Sequence, residues 1–471
     1  MARKTKTKTV AGLYVREEGL SKLTAAERKA MEAYAADYIG FLGKAKTERL
    51  AYRASVALLE KNGFRPIASF KTLKPGDKVY RGYHGKTLIA AVVGSRPLAE
   101  GINVVGGHTD APRIDLKPVP LAEKGGFAYF DTHYYGGIKK YQWVVRPLAL
   151  YGVVCRKDGT TVEIAIGDKP EDPIFMITDI LPHLGQEQAK KPLSKGIEGE
   201  DLDLLIGSEA GADKDAKDKV KANVLALLKK AYGIEEEDFT SAELEIVPAG
   251  LPRETGFDRS MISGYGHDDR VCAYAGLKAL VDLGGVPERT AAVIMCDKEE
   301  IGSVGATGMD STFFENSVAE IAARVLGRDY SDLAVRRTLE ASRMISADVT
   351  AASDPLYASA DPPGNSAIMN AGACINKYTG SGGKSGASDA RAEFLAQLRA
   401  TFAKHKVAWQ IGELGKVDHG GGGTIAKFMA RYGMDVVDMG TALLNMHAPW
   451  EIASKFDVYM TYRAYWAFMK D

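Results

Sequence analysis

Residues 290–307 constrain the fold most, because an apolar run there ends directly in a group of carboxylates. Residues 290–295 read T-A-A-V-I-M, a pattern typical of a strand buried on both faces. Asp297, Glu299 and Glu300 follow at once, and glycines come after them. An exposed loop is the ordinary explanation of an isolated glutamate pair. If the pair is buried, its charge needs compensation, usually by a metal ion with one glutamate as ligand and the other as base.

The length and the charge balance limit the classes of protein that the chain can belong to. Its 471 residues exceed what one hydrophobic core normally serves, so we expect two domains, or one large domain with an insertion. Lys plus Arg and Asp plus Glu both total 61, giving a formal net charge of zero. This balance argues against binding to nucleic acid or to a membrane surface, since both usually leave a basic surplus.

Cysteine usage and the start of the chain indicate the compartment. Cys155, Cys272, Cys296 and Cys374 are widely spaced and form no C-x-x-C pair, which favours a reducing cytoplasm over a disulfide framework. The first nine residues are basic, but no apolar region of a secretory signal follows them. Because no run of about 18 apolar residues occurs, we expect a cytoplasmic protein without membrane spans.

Alternating strand and helix signals predict an α/β fold with a mostly parallel central sheet flanked by helices. Strands are predicted at residues 67–73, 78–83, 87–93, 102–105, 290–295, 344–347, 407–411 and 436–440. Helices are predicted at residues 24–42, 47–62, 220–232, 268–282, 318–326, 330–342, 389–402, 424–432 and 455–470.

Residues 114–247 have a different pattern of predicted elements, which indicates an inserted, smaller, β-rich domain. Strand-like runs at 144–154 and 161–166 alternate there with loops. Residues 190–218 carry too few apolar side chains to pack tightly, so we expect a flexible section. The main domain would then consist of residues 1–113 and 248–471.

Acidic residues and histidines follow the predicted strands or open a predicted helix. They are His108, Asp110, Asp268, Glu299, Glu300, Asp348 and His447. Taken singly, each has an ordinary explanation as a hydrogen-bonded histidine, a helix cap or a turn residue. The carboxyl ends of parallel strands, however, open onto one shared crevice, where such folds bind ligands. Together these residues predict a site for zinc or a similar divalent metal.

The number of candidate ligands favours two metal ions over one. The two histidines with even three of these carboxylates are too many for one catalytic zinc, which usually takes three protein ligands and keeps a position open for water. Two ions that share one carboxylate need five ligands, three for each ion. Such a co-catalytic centre polarises a carbonyl and lowers the pKa of a bridging water.

Five motifs carry a resemblance to a known family. They are G-G-H-T-D-A-P-R at 106–113, G-H-D-D-R-V-C at 266–272, D-K-E-E-I-G-S at 297–303, S-A-D at 346–348 and M-H at 446–447. In this order they resemble the aspartyl aminopeptidase family of dinuclear zinc metallopeptidases, in a divergent bacterial-type branch. The resemblance implies a metallopeptidase catalytic domain in residues 1–113 and 248–471.

The resemblance also implies the metal ligands. Asp268 would bridge two ions, with Asp269 as the alternative bridge. The remaining ligands would be His108 and Asp348 at one ion, and Glu300 and His447 at the other. The ions would be zinc, with cobalt or manganese as alternatives.

Further roles follow from the resemblance. Glu299 would be the general base. Asp110 would orient the imidazole of His108. Lys377, in I-N-K-Y, matches a lysine that the family uses near the substrate. Glu187 stands where the family has a histidine that reaches a neighbouring subunit's site, and His183, close by, is the substrate-binding candidate in this segment. The family's acidic-substrate members carry a histidine just after Asp348, whereas residues 349–355 read V-T-A-A-S-D-P here, so the preferred first residue of the substrate stays open.

We therefore expect a metallo-aminopeptidase that removes single N-terminal residues from peptides. A dinuclear metal deacylase or carboxypeptidase on the same scaffold is one alternative, and a non-catalytic, cargo-binding shell protein is another. The resemblance further implies a homo-oligomer, a dodecamer built from dimers through the inserted oligomerisation or lid domain, with peptides as substrates. From the charge balance we expect neither nucleic acid nor membrane as a partner.

Overall fold

The computed structural model describes residues 14–212, 217–362 and 364–471. The prediction about the basic start of the chain, and the part of the flexible-section prediction that concerns residues 213–216, lie outside the described residues. In the part that is described, no helix is both long and apolar enough to span a bilayer.

The strands of the described residues are numbered in chain order. They are β1 Arg65–Pro66, β2 Lys78–Tyr83, β3 Thr87–Val92, β4 Asn103–His108, β5 Arg113–Lys124, β6 Phe127–Tyr135, β7 Leu148–Cys155, β8 Thr161–Ile166, β9 Leu204–Gly207, β10 Ala242–Pro248, β11 Arg253–Thr255, β12 Met261–Gly264, β13 Ala291–Cys296, β14 Arg343–Ala347, β15 Thr350–Ala351, β16 Ala373–Asn376, β17 Trp409–Ile411, β18 Asp435–Gly440, β19 Ala442–Leu444 and β20 Glu451–Ser454.

The helices are numbered in the same way. They are α1 Ala25–Leu42, α2 Glu48–Lys61, α3 Gln186–Ala189, α4 Leu193–Gly196, α5 Lys219–Tyr232, α6 His267–Val281, α7 Phe313–Leu326, α8 Asp332–Glu340, α9 Ala392–His405, α10 Ala426–Ala430 and α11 Lys455–Lys470.

The central sheet has the order β1-β2-β3-β13-β4-β14-β18-β16-β17. Its middle strands β13, β4, β14 and β18 run parallel to one another. Antiparallel pairs occur between β2 and β3, between β3 and β13, and between β16 and β18. The prediction of an α/β fold with a mostly parallel central sheet is confirmed. The four parallel strands end at the same edge, which is where the site lies.

Strand β13 shows how the apolar runs build two cores. All six of its residues are buried. Val293 and Met295 face the core that α1, α6, α9 and α11 cover, whereas Ile294 and Cys296 face the core that α7, α8 and α10 cover. Side chains alternate between the faces of a strand, so a continuous apolar run is what a sheet covered on both faces requires.

A second sheet, of order β8-β7-β10-β5-β6-β9, is antiparallel throughout. It has a core of its own, which includes the fully buried Trp143. The expectation that residues 190–218 lack apolar residues for packing is wrong for β9 and its surroundings. Leu202 and Leu204 are fully buried there, because β9 pairs with β6 at the edge of this sheet.

A third sheet, of order β11-β12-β20-β19-β15, has no counterpart in the sequence analysis. Its strands are two to four residues long, too short for an alternating pattern to be recognised. The predicted strand at residues 67–73 is wrong. Strand pairing ends with β1 at Pro66, and a 3₁₀ turn follows at Ile67–Ser69, because Ile67 and Leu73 anchor a loop onto the core instead of extending a strand.

Candidate metal centre

The ends of the parallel strands bring the predicted ligands together. His108 is the last residue of β4, and Asp348 follows β14 directly. Glu299 and Glu300 lie in the 3₁₀ turn Glu299–Ile301 just after β13. Register explains the convergence, since His108 on β4 pairs with the last residue of β13.

Three carboxylates converge on one nitrogen of His108. Its Nε2 lies 3.3 Å from Asp268 Oδ1, 3.8 Å from Asp348 Oδ1 and 3.9 Å from Glu299 Oε2. Asp268 reaches this point from the first turn of α6. The imidazole is almost entirely buried, so these atoms meet away from bulk water.

The second histidine approaches the opposite side of Asp268. His447 Nε2 lies 3.2 Å from Asp268 Oδ2 and 3.5 Å from Glu300 Oε2. One carboxylate therefore presents one oxygen to each imidazole. The fully buried Asp269 points elsewhere, since its Oδ2 accepts the backbone N–H of His108 at 3.4 Å.

Two overlapping groups of side chains have a geometry that could hold a metal ion. One consists of His108, Glu299 and Asp348, and the other of His108, Asp268 and Glu300; within each group the ligand atoms lie within 4.8 Å of one another. Glu300 Oε1 is buried without a hydrogen-bond partner. Imidazole nitrogen and carboxylate oxygen are the donors that zinc takes in catalytic sites, so these residues fit zinc. The first group includes Glu299 as a possible ligand, whereas the sequence analysis predicts it to be the general base.

Asp110 fixes the turn that carries the two glutamates. Its Oδ1 accepts the backbone N–H of Glu299 at 3.1 Å, and its Oδ2 accepts that of Glu300 at 3.2 Å. Oδ2 also accepts the Tyr135 hydroxyl at 2.8 Å, and Oδ1 lies 3.2 Å from His108 Nδ1. The carboxylate thus orients both glutamates and the imidazole at once, as residues behind metal ligands commonly do.

The end of β6 supplies two contacts that the sequence analysis did not find. Tyr135 supports Asp110, and the guanidinium of Arg113 lies 3.9 Å from the centre of its ring. The carbonyl oxygen of Gly137 lies 2.8 Å from His447 Nδ1. A Cβ on Gly137 would lie 3.3 Å from the same nitrogen, a tight contact that would press against the imidazole. The Y-G-G sequence at 135–137 is the one local feature that could have drawn attention to these contacts.

Glu451, the first residue of β20, is the third residue that the sequence analysis missed. Its side chain is almost fully buried. Its Oε2 accepts the backbone N–H of Asp268 at 3.0 Å, and its Oε1 accepts that of His447 at 2.9 Å. Only its position four residues after His447 could have drawn attention to it.

The crowding of carboxylates changes the pKa values in the site. Burial raises the pKa of Glu299 to about 8, with Asp348 and Asp110 adding to the effect. Burial, followed by the charge of Asp268, likewise raises the pKa of Glu451 to about 8. Burial acts to lower the pKa of His447, yet the hydrogen bond to Asp268, the charges of Glu300 and Asp268 and the contact with Gly137 together outweigh it and raise the pKa to about 11. The site therefore has more negative charge than its own cations balance, which favours a bound cation.

These residues form one end of a cavity of about 1010 Å³. Asp268, Glu299, Glu300, Asp348 and His447 all contribute to its lining. Apolar and aromatic side chains form other parts of its wall, among them Ile138, Val349, Tyr357, Leu414, Phe428, Leu443 and Leu444. The volume is large enough for a small organic molecule or the end of a peptide.

Two predicted substrate-binding residues lie elsewhere in this chain. Lys377 forms an ion pair with Asp389 and does not line the cavity. His183 lies on an exposed segment before α3, and Glu187 is exposed within α3. The described residues of one chain do not bring them to the metal centre, so their roles stay predictions.

Comparison with known proteins now adds to this geometry. A family model described as aminopeptidase I zinc metalloprotease (M18) matches residues 41–469. A probable M18 family aminopeptidase 1 from Clostridium acetobutylicum is 52% identical over 435 residues, which cover 92% of this chain and 93% of that protein. The crystal structure of an M18 family aminopeptidase from Thermotoga maritima is similar with a TM-score of 0.93 and 44% identity, covering 97% of this chain and 100% of that one.

A more distant likeness concerns the fold alone. The structure of an S. cerevisiae mApe1 dodecamer has a TM-score of 0.75 at 21% identity, covering 94% of this chain and 97% of that one. The family match and the close bacterial relatives confirm the predicted resemblance. The chain belongs to the M18 family of zinc metalloprotease aminopeptidases, in its bacterial branch.

Proposed function

We propose that this aminopeptidase removes single N-terminal residues from peptides at a centre of two zinc ions, for which cobalt or manganese can substitute. The observation that carries the proposal is the placement of Asp268 between His108 and His447, with one carboxylate oxygen facing each imidazole. A carboxylate that bridges two ions needs this arrangement.

The proposed ligands divide into two sets around Asp268. His108 and Asp348 complete one set, and Glu300 and His447 complete the other. The short distances from each histidine to its carboxylates support this division. The orientation of Asp269 toward the backbone of β4 supports Asp268 as the shared ligand.

Glu299 is proposed as the general base. Zinc in such a site polarises the scissile carbonyl and makes a nearby water more acidic. Glu299 takes the proton from the attacking water and passes it to the leaving amine. Its place in the cavity wall and the fixed position of its amide on Asp110 support this role. Asp110 positions Glu299, Glu300 and His108 and does not itself exchange protons with the substrate.

We also propose a division of labour within the chain. Residues 1–113 and 248–471 form the catalytic domain, and residues 114–247 form an oligomerisation or lid domain. Exposed apolar side chains on the segment that runs from β8 to the first residue of α4 support an interface there, namely Ile174, Ile180, Leu181, Leu184 and Leu193, which are 46–70% exposed. The twelve-subunit assembly of the yeast relative supports a homo-dodecamer. Light scattering of the full-length protein checks this assembly.

The proposed location is the cytoplasm. The four cysteines, which lie far apart in the sequence and are unbridged in the structure, support a reducing compartment. The proposed substrates are peptides. Lys377 is paired with Asp389, so the structure offers no support for a preference for acidic first residues.

The proposed function is tested by removing and restoring metal. Chelated enzyme should lose activity on aminoacyl chromogenic substrates, and zinc, cobalt or manganese should restore it. Peptides with a free N-terminus should be cleaved from that end, whereas N-acetylated peptides should not. Cleavage of blocked substrates, or of C-terminal residues, would instead identify a deacylase or a carboxypeptidase.

Glu299→Gln should lower kcat by at least about a hundredfold while both ions are retained, because general-base catalysis contributes about 10²–10⁴ in rate. Turnover and elemental analysis of the same preparation measure the two effects. Glu288→Gln, at an exposed glutamate, is the matched control and should leave both unchanged. Loss of an ion in Glu299→Gln would make Glu299 a ligand, and normal turnover at full occupancy would remove it from the reaction.

Asp268→Ala should lose both ions, because a bridging carboxylate belongs to both coordination spheres. Asp348→Ala, which removes a ligand of one ion only, should retain the other. Elemental analysis of the purified variants distinguishes the two results. If Asp268→Ala keeps one tightly bound ion, the bridge must be a different residue, with Asp269 the first to examine.

Tyr135→Phe should lower kcat about tenfold or more, since changes behind metal ligands typically cost about 10–100-fold in activity or metal affinity. The variant removes only the hydroxyl that Asp110 accepts. Tyr134→Phe, at the exposed neighbouring tyrosine, is the matched control. Equal kcat in the two variants would show that the hydroxyl does not support Asp110 in catalysis.

A further inference from the structure

Glu451 has no proposed role as a ligand or as a base, yet it lies directly behind the metal centre. It is 1% exposed. Each of its carboxylate oxygens accepts one backbone N–H, from Asp268 at 3.0 Å and from His447 at 2.9 Å. No other side chain in the described residues accepts a hydrogen bond from the backbone amides of both.

The two residues that Glu451 joins come from separate elements. Asp268 lies in the first turn of α6, and His447 lies in the loop between β19 and β20. Strand β20 pairs with β12, and Glu451 lies opposite Gly264, three residues before α6 begins. Glu451 therefore lies where the strand that leads into α6 meets the loop that carries His447. Its two hydrogen bonds fix the distance between these two backbones.

We propose that Glu451 is a positioning residue for the metal centre, which sets the separation of Asp268 and His447 so that their side chains share one ion. The inference rests on the proposed ligand roles of these two residues. The imidazole of His447 is further held by the carbonyl of Gly137, so with Glu451 in place both its backbone and its ring are fixed.

The chemistry requires a carboxylate of glutamate length at this position. Two N–H donors approach two different oxygens, and the carboxyl group of glutamate offers an acceptor lone pair on each. In Glu451→Gln one oxygen becomes an NH₂ group, which has no lone pair for the second N–H and repels it. In Glu451→Asp the carboxyl group stays, but the shorter side chain reaches only one of the two amides.

The test measures zinc binding by the full-length protein. Metal-free wild type, Glu451→Gln and Glu451→Asp are titrated with zinc in competition with a chromogenic chelator, and thermal unfolding is recorded with and without zinc. Both variants should bind zinc about 10–100-fold more weakly than the wild type, and zinc should raise their Tm less. Glu254→Gln, in β11 of the same sheet, is the matched control and should bind zinc normally.

The alternative is a purely structural role. In that case Glu451→Gln lowers the Tm of the metal-free protein, but zinc affinity and the zinc-induced rise in Tm match the wild type, and this result would overturn the proposal. Normal zinc affinity in Glu451→Asp would also overturn it, and that variant serves as the test if Glu451→Gln does not fold. Failure of the proposed function is distinguishable, because the wild type itself would then show no zinc-dependent aminopeptidase activity.

Discussion

The concentration of buried carboxylates at the ends of β4, β13 and β14 is the constraint on which the rest of the structure depends. Each carboxylate makes the next one harder to ionise, and burial strengthens the repulsion because it removes the screening water. The raised pKa of Glu299 is one consequence. Such a group is stable only with added positive charge and with hydrogen-bond donors that hold each acid in place. In this family zinc supplies the positive charge, and the protein backbone supplies many of the hydrogen-bond donors.

Two buried acids supply the same structural device on opposite sides of the site. Asp110 accepts the amides of Glu299 and Glu300, and Glu451 accepts those of Asp268 and His447. In both cases one carboxylate holds two backbone positions, so the side chains that face the cavity start from fixed points. Catalytic groups need placement within a fraction of an ångström, and packing of short loops alone seldom gives it. The polar contacts behind the ligands are therefore as much part of the site as the ligands.

The sequence predicted the central sheet and the residues at its edge because both depend on local patterns. The uniform apolar run of β13 and the acids directly after it lie within a few residues of one another, and parallel strands must end at a shared edge. The third sheet was not predicted, since its strands are too short to show a period. Glu451 and Tyr135 were missed for another reason. Tyr135 and its partner Asp110 are 25 residues apart, and Glu451 joins His447, four residues away, to Asp268, 183 residues away. No local sequence pattern predicts such hydrogen bonds.

The contacts of Tyr135 and Gly137 also change how the inserted region relates to catalysis. Both residues lie at the end of β6 or just after it, in the region of the antiparallel sheet, yet they contact Asp110 and His447 of the same chain. Removing that region would therefore disturb the metal centre even in an isolated subunit. Loss of activity on deletion cannot by itself demonstrate a site shared between subunits. A change in the exposed segment around His183, which makes neither of these contacts, separates dependence on assembly from dependence on the hydrogen bonds within one chain.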